Sequence, residues 1–193
     1  MLASITPLGE RSRGFSWGWT ASAFAVGAVA AGAMGGAVGG ALGSLAPAGG
    51  WRTIVALVVL LAAVSLDATA LGRRLPSSRR QVNEDWMARY RGWVYGAAFG
   101  AQLGAGLATI VTSAAIYAAA AGAVLCGTVT GGAAVGAAFG LTRALSLVPA
   151  RTARDRAGLV RLHTTLGRLD PVARRLVVAG EIAGAVLLIG GLA

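Results

Sequence analysis

Three side chains stand where charge is costly. Asp67, Arg143 and Glu181 each interrupt a long run of Ala, Gly, Val and Leu, and a lone charge in hydrocarbon costs several kcal/mol unless it is paired. Asp67 lies six residues before Arg73, Arg143 six before Pro149, and Glu181 six after Arg175. At about 1.5 Å per residue, each sits roughly 9 Å in from the polar end of its helix. A shared depth predicts that Arg143 pairs with one or both carboxylates. Such a cluster is either a static salt bridge that fixes helix register or a proton- or ion-coupled gate. Gln102, about 15 Å into its own helix, is the most central strongly polar side chain. Thr109, Thr112 and Ser113 follow it, as a polar path or as interhelical hydrogen-bonding groups; only Thr109, at i+7, returns to the Gln102 face.

Other chemistries lack their parts. Cys126 is the single cysteine and His163 the single histidine, so there is no disulfide, no His/Cys metal set and no nucleophile–base pair. Neither an enzyme nor a bound metal or cofactor is expected. "GAMGGAVGGALGS", residues 32–44, is glycine-rich, but a phosphate-binding loop of the Walker type needs Lys, and the chain has none. Gly32, Gly36 and Gly40 form one ridge at helical spacing, Gly35, Gly39 and Gly43 a second, and Gly132, Gly136 and Gly140 repeat the pattern. These ridges suit close helix packing in lipid.

The elements that must carry these residues are membrane helices. Hydrophobic residues make up 56% of the 193 and charged residues 12%, too few charges to cover a soluble domain. The whole chain, 1–193, reads as one all-α polytopic bundle. Helices are expected over about 17–46, 51–72, 93–121, 126–148 and 176–193, giving five crossings with six as the alternative. The first is too long for a cleaved signal sequence. The break between the third and fourth falls in "GAVLCGTVTGG". Basic loops 73–92 and 149–175 connect the rest, the second containing "TARDRAGLVRLHTTLGRLDP". All 17 basic residues are Arg, and 15 of them fall on one side if the N-terminus is cytoplasmic and the C-terminus outside. The net charge of +10 is thereby assigned to loops facing anionic headgroups rather than to nucleic acid. The Arg-for-Lys usage points to the inner membrane of a GC-rich bacterium.

In "RRQVNEDWMARYRGWVYG", residues 79–96, Ser78 and Gln81 suggest a capping box, and Trp86, Tyr90, Trp93 and Tyr95 suggest interfacial anchors on an amphipathic lead-in to the third crossing. "RGFSWGW" at 13–19 and "RGWVYGA" at 91–97 share Arg-Gly-aromatic-x-aromatic-Gly, 78 residues apart. Each opens a long apolar helix, and each is followed by a helix ending near Arg and Pro. This layout, over residues 13–150, resembles the DsbD/CcdA-type and LysE-type superfamily of membrane transporters. That family has six crossings in two halves, and its electron-transporting members place Cys beside Pro in the first helix of each half. The matching helices, around Gly27–Gly43 and Ala105–Tyr117, have neither residue. The resemblance thus implies transport of a small solute, or a scaffold without the redox chemistry. Two functional expectations follow: a small transporter or permease subunit, or a structural or assembly subunit of a larger membrane complex. A chain of 19.2 kDa is expected to associate with copies of itself or with other membrane subunits.

Overall fold

The computed structural model describes residues 5–69, 85–106 and 113–190. Within these every regular element is helical: α1 (Pro7–Ser12), α2 (Trp17–Ser44), α3 (Trp51–Ala68), α4 (Trp86–Arg89), α5 (Gly92–Gly104), α6 (Ala115–Leu125), α7 (Val129–Leu145), a 3-10 turn (Val148–Thr152) and α8 (Arg156–Gly190). Three helical stretches, Trp17–Ser44, Trp51–Ala68 and Val129–Thr152, are long and apolar enough to cross a membrane. The proposed Ser78–Gln81 cap lies outside the described residues.

The bundle is organised around α2, about 42 Å long for its 28 residues. Six of its seven buried residues, Thr20, Phe24, Ala28, Gly32, Gly36 and Gly40, recur every fourth position and so form one ridge. Two helices share that ridge. α5 runs parallel to α2 along the first part: a Cβ on Gly96 would stand 2.6 Å from the Thr20 carbonyl oxygen, and Cβ atoms on Gly100 and Gly104 would overlap those of Phe24 and Ala28. α7 runs antiparallel along the second. Cβ atoms on Gly32 and Gly36 would overlap the carbonyl oxygens of Gly136 and Gly132, and one on Gly140 that of Ala28. The backbones therefore touch directly, which only missing side chains permit. Gly35, Gly39 and Gly43 do not act as one ridge. Gly35 has nothing within 4 Å, Gly39 meets Ala123 and Val124 at 3.5 Å, and a Cβ on Gly43 would overlap the Val124 carbonyl oxygen.

The expected helix over 93–121 is two helices. α5 stops at Gly104, and Gly106 takes a left-handed φ of 72°, a conformation that glycine adopts without a Cβ clash. α6 starts at Ala115 and runs in the α2 direction until Ala123 and Val124 reach Gly39 and Gly43. α5 and α6 thus succeed one another along α2, α5 ending at Gly104 and α6 beginning at Ala115, with residues 107–112 outside the described residues. The turn to α7 falls in the expected stretch, at Gly127 (φ 61°). At that end Arg52 donates to the carbonyl oxygens of Gly43 (2.8 Å) and Ala46 (2.6 Å), supplying donors to the α2 C-terminus that no further helical turn provides.

α3 returns antiparallel to α2, and α8 packs antiparallel to α3. A Cβ on Gly184 would meet Leu60 at 3.6 Å, while Arg174, ten residues earlier, bonds at Asp67. The 149–175 segment is not the expected loop, and the 176–193 helix begins much earlier: α8 is continuous from Arg156 through Pro171. Pro171 removes one hydrogen bond, the one to Gly167, and both residues are exposed, so the freed carbonyl is not enclosed in the bundle. The α1 end of the bundle holds a conventional core of Ile5, Phe24, Tyr95, Phe99, Leu147 and Leu162. The 78-residue sequence offset persists in the elements, since α3 and α7 begin at Trp51 and Val129; α5 plus α6 correspond to α2.

Candidate functional site

The break between α5 and α6 is where the polar groups gather. Asp67, in the last turn of α3, is buried at 2% exposure. Its carboxylate accepts the backbone N–H of Ala114 (2.8 and 3.0 Å) and the hydroxyl of Ser113 (2.5 Å). It therefore caps α6, where free N–H groups and the helix dipole favour a negative charge. Arg174 of α8 crosses to the end of α3 and donates to the carbonyl oxygens of Asp67 (2.9 Å) and Thr69 (3.0 Å). Two helix ends and the middle of a third helix are tied at one place: the C-terminus of α3, the N-terminus of α6 and α8 at Arg174.

Glu181 completes the site. It is 6% exposed, and neither of its carboxylate oxygens has a hydrogen-bond partner. Its helix packs on α3 with Arg174 at Asp67 and Gly184 at Leu60 on either side of it, which turns Glu181 toward the buried α3 positions Ala63 and Asp67. A buried carboxylate with no donor is a strongly unfavourable arrangement.

The expected role of Arg143 is not what the structure shows. Its guanidinium lies over the Phe139 ring at 5.0 Å, and no ion pair joins it to Asp67 or Glu181 among the described residues. The reason is the glycine ridge. α7 is drawn against α2, while the two carboxylates are on α3 and α8, which pack on each other. An expected equal depth does not put the three residues on one side of the bundle. Ser113, expected on a polar path with Gln102, instead belongs to Asp67. Gln102 is half-buried on α5, and Thr109 and Thr112 lie outside the described residues.

A second polar cluster was not foreseen. Glu10 of α1 is fully buried and accepts from Thr20 Oγ1 (2.7 Å), from the Tyr95 hydroxyl (2.5 Å to each oxygen) and from Arg13 Nη2 (2.6 Å). Burial works against the Arg13 charge, but Glu10 and Tyr95 outweigh it and hold the guanidinium pKa above its ordinary value. The signal was present in "TPLGE": Thr6 caps the helix at Gly9 (3.1 Å), Pro7 opens it and Glu10 is acidic in the first turn. Tyr95 is consequently no interfacial anchor; it has no exposure. Trp86 is half-buried against Phe99, ring centroids 6.4 Å apart, whereas Tyr90 and Trp93 are exposed. α4 is a separate four-residue turn, because Tyr90 is extended (φ −120°, ψ 159°), so no continuous amphipathic lead-in forms.

An apolar cleft of about 330 Å³ opens beside the break, with Gly104 and Gly106 on the α5 side, Ile116 and Ala119 on α6, and Gly36 and Phe139 behind. Comparison of the chain with protein-family models, with curated proteins and with solved structures gave no match.

Proposed function

We propose that the chain is a five-crossing protein of a bacterial inner membrane, N-terminus in the cytoplasm, that moves a small solute past the broken α5–α6 crossing. Five crossings are supported by the alternating directions of α2, α3, α5 with α6, α7 and the second half of α8. The orientation is supported by the described arginines, of which Arg52 lies at the α2–α3 turn, away from α1. The observation that carries the transport reading is Glu181: a buried carboxyl without a donor, facing a second carboxyl at a helix break, is poor design for a scaffold and suits a site that is filled and emptied. Broken helices in membranes are tolerated where they are buried in protein or line a cavity, and the cleft beside the break provides one.

The experiment is accumulation in proteoliposomes. Purified protein is offered a panel of amino acids, organic acids, sugars and inorganic ions, and the vesicle contents are assayed by mass spectrometry. At least one solute accumulates above protein-free vesicles; equality across the panel overturns the reading.

A further inference from the structure

We infer that Asp67 and Glu181 together hold one exchangeable proton, carried by Glu181 as a carboxylic acid whose O–H donates to an Asp67 oxygen. For its purpose this site rests on the transport reading above; its chemistry rests on the burial of both carboxyls and on the packing of α8 against α3.

The geometry selects a proton over a metal cation. A hard cation takes a shell of about six oxygens. At this site both Asp67 oxygens already accept from Ala114 and Ser113, and the neighbouring carbonyl oxygens of Asp67 and Thr69 are taken by Arg174. Only the two Glu181 oxygens lack partners. The guanidinium of Arg174 also brings a positive charge to the place a cation would occupy. Among the described residues, no three of His, Cys, Asp and Glu gather as a ligand set.

Charge balance points the same way. Among the described residues, the titratable groups nearest Glu181 are Asp67 from α3 and, further along its own helix, Arg174; α6 carries one titratable side chain, Tyr117, which is 43% exposed. With both acids ionised, two negative charges meet one positive charge. When a proton from water bonds to one Glu181 oxygen, one carboxylate and one guanidinium remain, and the new O–H gives the pair the donor it lacks. Releasing that proton restores an unpaired charge beside the α6 N-terminus.

The test is infrared spectroscopy of the full-length protein in detergent, with protons and sodium ions as the probes. The wild type is expected to show a protonated-carboxyl C=O stretch at pH 7 that shifts in D2O, disappears in Glu181→Gln and Glu181→Leu, and is unchanged by sodium chloride. Both variants are expected to fold: Glu181→Gln keeps a donor for Asp67, and Glu181→Leu gives up one hydrogen bond together with the burial of a polar carboxyl. Absence of a Glu181 band overturns the proton site, as does its loss on adding sodium at constant pH. A band present in a protein that accumulates no solute leaves the proton site standing and removes the transport reading. Glu181-dependent accumulation without the band does the reverse.

Discussion

Gly35 and Gly36 are neighbours in α2, yet alanine should affect them in opposite directions. Gly36 is buried against α7, and its added Cβ would overlap the backbone carbonyl oxygen of Gly132. A carbonyl held in a helix cannot rotate away, so α2 and α7 must separate along the whole shared ridge. On the order of 30 atom pairs at about 0.15 kcal/mol each then lose a quarter to a half of their attraction, roughly 2 kcal/mol in all. That lies within the usual range for overpacking. Gly35 has nothing within 4 Å, and its alanine variant gains helix propensity worth up to about 1 kcal/mol. The assay is equilibrium unfolding in mixed detergent micelles with rising SDS fraction, followed by tryptophan fluorescence. Gly36→Ala should unfold at a lower SDS fraction than wild type, and Gly35→Ala at the same or a higher one. Equal behaviour of the two variants would refute the backbone contact between α2 and α7.

Three further outcomes follow from the same structure. Cys126 is exposed in the α6–α7 turn, so a membrane-impermeant maleimide should label the wild-type protein from the periplasmic side in intact spheroplasts; labelling only after the membrane is opened reverses the orientation. Tyr95→Phe removes a donor from fully buried Glu10 and should lower unfolding free energy by about 1–3 kcal/mol, read from the same SDS titration; an unchanged midpoint would mean that Thr20 and Arg13 suffice. Arg52→Gln removes charge-assisted bonds to the α2 C-terminus and should cost about 2 kcal/mol, with faster hydrogen exchange at the α2–α3 turn; exchange as in wild type would discard the cap.

Much of the fold was legible because apolar length and turn residues decide it. Pro47, Gly49 and Gly50 end the first long helix, Gly127 the α6–α7 turn, and Gly32, Gly36 and Gly40 do face Gly132, Gly136 and Gly140. Where the sequence misled, it was because depth along a helix says nothing about azimuth in a bundle. Helix counting sets Arg143 at the depth of Asp67 and Glu181, but the ridge fixes α7 on α2 and leaves Arg143 over Phe139. The α5–α6 break was hidden in continuous hydropathy, since Gly104, Ala105 and Gly106 look like the rest of the run. Four glycines at i+4 spacing, Gly92, Gly96, Gly100 and Gly104, carried the second half of the packing plan. They were overlooked beside the aromatic residues among them. Glu10 was missed because a polar N-terminal segment reads as solvated, although its helix signals were intact.

The most direct test of the account measures solute accumulation in proteoliposomes with and without an imposed pH gradient, comparing wild type with Glu181→Gln. Accumulation that rises several-fold when the gradient is applied, and is lost in the variant at equal protein incorporation, is the predicted result. Accumulation that ignores both the gradient and the loss of Glu181 would contradict it and leave the buried acid pair without a part in transport.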